Sequence, residues 1–131
     1  MGRKIGAGVA GILIAFVLVA LIETLGHMLW PLGIENEQKI DLANVAVGAM
    51  ASVLVAWVFA LFAGVLVAAR IVKGQSMWPP SIVAVLFLAS CAFNVAAIAH
   101  PLWFLIAAGV AIPATLMAAF AVSKRLKGNN S

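Results

Sequence analysis

The chain has 131 residues, of which 66% are hydrophobic and only 9% charged, with a formal net charge of +4. A water-facing surface needs charge on roughly a quarter of the residues, so this composition excludes a soluble globular domain. Disorder is excluded by the same apolar content. An integral membrane protein remains, and four helical spans of about 20 residues each would fill most of the length, leaving no segment for a separate catalytic domain.

The first span is predicted over 5–30 and ends at Pro31 and Gly33, which do not continue a helix. Arg3 and Lys4 ahead of it look like the opening of a signal peptide. However, the apolar run exceeds roughly 7–15 residues and no small-x-small site closes it, which predicts a retained span. Glu23 is the one acidic residue inside any span. It lies about 10 Å below the outer helix end at a rise of about 1.5 Å per residue. His27 follows one turn later on the same face. Gly2, Gly6 and Ala10, with Ala7 and Gly11 alongside, form a short row of small residues.

The second span is predicted over 42–70, with Asp41 as a plausible N-cap. It carries Gly48, Ser52, Ala56, Ala60, Gly64 and Ala68, a small residue at every fourth position. Such rows let backbones approach closely where lipid removes the hydrophobic drive to associate. The row drifts around the helix by about 40° per step, so one partner helix meets only part of it. Packing inside one bundle is the expected use, and an interface between copies the alternative.

The third span, 80–99, opens after Pro79-Pro80, with Pro80 suited to a first helical position. It holds Ala92, Asn94, Ala96 and the single cysteine, Cys91. A lone cysteine excludes an intramolecular disulfide and a C-x-x-C relay. Only His100-Pro101 separates this span from the fourth, 102–123, which predicts a tight helical hairpin. In the fourth span Ala107, Ala111 and Ala114 are small. Pro113 removes the bond to the Gly109 carbonyl and predicts a kink.

A transmembrane β-barrel would need apolar and polar residues to alternate along its strands. The run from Ile12 to Ala20 is apolar on every side, as a lipid-embedded helix requires. The expected fold is therefore an all-α membrane protein, a four-transmembrane-helix bundle forming one domain.

Charge fixes the expected orientation. Arg3, Lys4, Arg70, Lys73, Lys124, Arg125 and Lys127 fall on one side of this topology and only Lys39 on the other. The positive-inside rule then places both termini in the cytoplasm. Glu35, Glu37 and Asp41 lie in the loop assigned outside. Trp30 and Trp103 sit at the outer boundary and Trp78 at the inner one, as interfacial anchors. The net charge is a topology signal with a weak attraction to anionic lipid, not a sign of nucleic-acid binding.

Glu23, His27, Asn94 and His100 all fall in the outer third of the bundle and form the candidate polar site. Three readings stay open. The first is structural: polar groups act as interhelical glue, and the protein works by helix packing as a homo-oligomer or accessory subunit of a membrane complex. The second is a minimal proton-coupled transporter or channel using Glu23, because intramembrane carboxylates are expensive and usually functional. The third is a metal or haem site drawn from Glu23, His27 and His100, although no ligand-spacing motif such as H-E-x-x-H is present. Phosphate-loop and serine-elbow motifs are also missing from the sequence. No enzyme activity, resident metal or cofactor is expected, and the partners expected are the lipid bilayer and other membrane subunits.

In outline, four short spans with one acid in the first resemble the small multidrug resistance transporters. The chain departs from that family in having no tyrosine and in the shallow placement of Glu23. A closer likeness rests on Glu23-Thr24-Leu25-Gly26-His27-Met28-Leu29-Trp30-Pro31, on Ala56-Trp57 through Gly64 to Ala68-Ala69-Arg70, and on His100-Pro101-Leu102-Trp103-Phe104. With these segments the chain resembles small uncharacterised four-span bacterial integral membrane proteins. The resemblance implies a multi-pass protein of the bacterial inner membrane and names no activity.

Overall fold

A computed structural model describes residues 1–30 and 47–129. Pro31, Gly33, Glu35, Glu37, Lys39 and the expected N-cap Asp41 lie outside the described residues. The elements are α1 (Gly2–Leu29), α2 (Val47–Ile71), α3 (Trp78–Ala97) and α4 (Leu102–Gly128). Among the described residues there is no strand, and all four helices are long and apolar enough to cross a membrane. The shortest, α3, has 20 residues, which at about 1.5 Å per residue matches a hydrocarbon core of about 30 Å.

Helix boundaries differ from the sequence expectation where polar residues extend an apolar run. α1 begins at Gly2 and takes Arg3 and Lys4 into its first turn. α4 continues past Ser123 to Gly128, carrying Lys124, Arg125 and Lys127 into its last turns. Cations at a helix C-terminus meet the negative end of its dipole, so nothing local stops the helix at the apolar boundary. α3 takes both Pro79 and Pro80 into its first turn, where missing N–H groups lose no bond. It ends at Ala97, and Ile98 is already extended.

α2 is the central element, packed against α1, α3 and α4, while α1 also packs on α3. The expected hairpin of spans three and four is corrected by this arrangement. The connection over 98–101 is short, but α3 and α4 splay along different sides of α2 and make little contact with each other. The extended backbone at Ile98 and Pro101 turns the chain away from α3 and brings His100 and Phe104 against Trp57 of α2. Pro101 itself disfavours helical backbone in His100.

Small residues set the α1–α2 distance. A Cβ built on Gly11 would lie 2.6 Å from the Gly64 carbonyl oxygen, and one on Gly64 would lie 2.8 Å from that of Gly11. One on Gly26 would run into the Ser52 hydroxyl, and one on Gly48 into the Trp30 indole. Ala56, Ala60, Gly64 and Ala68 of the α2 row are fully buried inside the single chain, whereas Gly48 and Ser52 are half-buried near its end. The row expected in α1 is displaced. Gly2 and Gly6 are exposed and have open space beside them, and the contact face is Ala7, Gly11 and Ala15, running on to Gly26. Ala92, Ala96 and Ala114 are likewise exposed. α4 meets α2 instead through Phe104, Thr115, Ala119 and Ser123. The Thr115 and Ser123 hydroxyls are satisfied locally, each donating to the carbonyl four residues back at 2.7 Å.

α4 runs unbroken through Pro113, which is exposed together with Gly109. At the end that carries both termini, Arg3 Nε donates to the Ile71 carbonyl at 2.7 Å and so caps α2. The chain then turns through Lys73 and Gly74 with φ of 52° and 67°. Gly74 is required twice over, since a Cβ there would also lie 2.6 Å from the Lys127 backbone nitrogen.

Candidate functional site

The close approach of Gly26 to Ser52 brings the C-terminal half of α1 against α2. One turn earlier on the same helix, Glu23 lies beside Trp57 of α2, both side chains lining one cleft. Trp57 is 5% exposed, the one tryptophan of four placed in the interior. On the α3 side, Gly11 backs onto Val83, and the Phe16 and Phe87 rings meet at a centroid distance of 6.4 Å. Beside that contact a cleft of about 150 Å³ lies between α1 and α3, lined by Phe16, Val19, Glu23, Trp57, Phe87, Ser90, Cys91 and Asn94.

Glu23 and Asn94 therefore face one cavity, reached from two helices as their common depth implied. Asn94 makes no side-chain hydrogen bond to another described residue. Ser90 adds a hydroxyl whose hydrogen is directed at the Leu86 carbonyl, 3.0 Å away. The Cys91 thiol lines the same cleft. His27 stands one turn along α1 from Glu23 but is exposed and does not line the cleft.

His100 takes another position. Its Nδ1 is 2.7 Å from the Ile98 carbonyl oxygen, and its ring stacks on Phe104 with a centroid distance of 4.8 Å and an interplanar angle of 24°. Trp57 lies beside this pair, 5.4 Å from Phe104 in an edge-on arrangement and 6.3 Å from His100. His100 thus touches the Glu23 site only through the far side of the Trp57 indole. Among the described residues no three of His, Cys, Asp and Glu gather closely enough to hold a metal ion. Glu23, His27 and His100 do not form the ligand set that the third reading needed.

Trp57, Ser90 and Cys91 were not among the candidate site residues. Trp57 sits mid-span, away from both boundaries where tryptophan signals an anchor, and only the rotation of α2 shows that it faces Glu23. Ser90 and Cys91 are separated from Asn94 by four and three residues, the spacing of one helical face. That spacing was the available signal.

Comparison with protein families, with curated proteins and with solved structures gives no match for this chain.

Proposed function

We propose that the chain is a multi-pass protein of a bacterial cytoplasmic membrane, with both termini cytoplasmic, that works as a minimal proton-coupled transporter or channel at Glu23. The carrying observation is the shared cleft. Glu23 from α1, Asn94 from α3 and Trp57 from α2 line one cavity. Interhelical glue would close Asn94 onto Glu23. Instead about 150 Å³ of open space adjoins them. A carboxylate inside a membrane span is expensive and by default marks a functional site. The orientation rests on the seven basic residues at the end bearing both termini. The test is proton flux into proteoliposomes under an imposed pH gradient, wild type against Glu23→Gln. Loss of flux in the variant supports the reading, and equal flux removes it.

A second reading, a helix-packing subunit or homo-oligomer, is favoured by one feature. α4 packs essentially on α2 alone and presents Leu102, Ile106, Val110 and Met117 outward. The small-residue row of α2 does not add to it, because Ala56, Ala60, Gly64 and Ala68 are already covered within one chain. Cross-linking in mild detergent tests this reading, and a strictly monomeric protein that co-purifies with nothing would remove it.

A further inference from the structure

The ligand chemistry of the cleft can be read from what its polar groups have left to offer. The Trp57 indole lines the cleft beside the Glu23 carboxylate. A carboxylate has two oxygens and about four lone-pair sites, so even a bond from the Trp57 N–H leaves most of its accepting capacity free. The Ser90 hydroxyl gives its hydrogen to the Leu86 carbonyl, so towards the cavity its oxygen can only accept. The Asn94 amide can turn its carbonyl oxygen to the same space. Among the described residues no Lys or Arg lines the cleft. His27, one turn along α1 from Glu23, stands outside the lining and is exposed. The remaining walls are the Phe16 and Phe87 rings, the Trp57 indole and Val19.

From this we infer that the cleft binds a small primary alkylammonium ion, with the ammonium group on Glu23, Asn94 and Ser90 and the alkyl part against the aromatic wall. Three acceptors line the cavity, and among the described residues its strong donors are the Trp57 N–H and the other end of the Asn94 amide. A primary ammonium has three donors and no acceptor, which is the complement. Aromatic faces attract a cation as well as covering its alkyl chain. A quaternary ammonium would satisfy the charge but leave the Ser90 and Asn94 oxygens unpaired, and an anion would meet the carboxylate. Size agrees: a protein cavity of about 150 Å³ accommodates benzene, so an ion of about four to six heavy atoms fits. The inference rests on the reading of the Glu23 cleft as the working site and names what it takes besides a proton.

The probe is propylammonium, titrated at neutral pH into the purified full-length protein in detergent and followed by calorimetry. Propan-1-ol and propionate serve as neutral and anionic counterparts, and tetramethylammonium tests the hydrogen-bond requirement. Saturable propylammonium binding is expected, weakened at least tenfold in Glu23→Gln and less strongly in Asn94→Leu. The neutral and anionic counterparts should fail to compete. Cys91 reports the location without any change of the site. It is the single cysteine and lines the cleft, so propylammonium should slow its modification by a methanethiosulfonate reagent while propan-1-ol does not.

Equal competition by propan-1-ol, or unchanged affinity in Glu23→Gln, would overturn the inference. So would binding that leaves Cys91 unprotected, or tetramethylammonium binding as tightly as propylammonium. The two claims fail separately. Glu23-dependent proton flux without alkylammonium binding overturns this inference and keeps the proposed function. Alkylammonium binding without any flux keeps the binding site and removes transport.

Discussion

Trp57 lines the cleft beside Glu23 of the neighbouring helix, and its ring packs edge-on against Phe104 at 5.4 Å. One side chain thereby joins the only acid within the described helices to the start of α4 and, through Phe104, to His100. Trp57→Phe keeps the aromatic packing and removes the donor. Trp57 is buried, and trimming a large buried side chain costs stability, so the variant should unfold more readily. A double-mutant cycle with Glu23→Gln, followed by thermal unfolding in detergent, measures the coupling of the pair. Additive effects of the two substitutions would show that the two side chains are not coupled.

The α1–α2 contact gives a second prediction. Gly11→Ala forces a Cβ to within 2.6 Å of the Gly64 carbonyl and 2.7 Å of a Val83 methyl. Backbone cannot yield as a flexible side chain does, and overpacking of this kind costs about 1–3 kcal/mol. Gly6→Ala, with nothing within 4 Å of the new carbon, should be neutral or slightly stabilising, since alanine is the better helix former. Equal stability of the two variants would contradict the packing described.

The turn after α2 supplies a third. Gly74 has a φ of 67° and faces the Lys127 backbone. Gly74→Ala should destabilise by at least about 1–2 kcal/mol from the left-handed backbone alone, and more from the clash. Limited proteolysis at the turn, with thermal unfolding, measures it.

Pro113 gives a prediction of little effect. It lies with Gly109 on the exposed side of an unbroken α4, away from Phe104, Thr115 and Ala119 that meet α2. Pro113→Ala should leave proton flux unchanged and not lower stability. A Pro113→Ala protein that folds but loses flux would assign the residue a hinge role that this placement does not give it.

The sequence conveyed the four spans and the depth of each polar residue, because both depend on composition and on position along a helix. Rotation was not legible. Helices that are apolar all round give no periodic cue to which face meets protein and which meets lipid. Gly2 and Gly6 therefore looked equivalent to Ala7 and Gly11, although only the latter pair faces α2. For the same reason Glu23 and Asn94 could be placed at one depth but not in one cleft, and Trp57 could not be seen beneath them. The splay of α3 from α4 was hidden too, since a short connection usually implies neighbours. Here α2 packs against both of them, and the extended backbone at Ile98 turns the chain away from α3 to meet α2 at Trp57.

The central claim is that the Glu23 cleft is where this protein works, and proton uptake by proteoliposomes addresses it most directly. Wild type, Glu23→Gln and Pro113→Ala would be reconstituted at equal density, with folding checked by thermal unfolding, and challenged with the same pH gradient. The account predicts flux in wild type and Pro113→Ala and at least a tenfold loss in Glu23→Gln. Undiminished flux through a folded Glu23→Gln protein would contradict it.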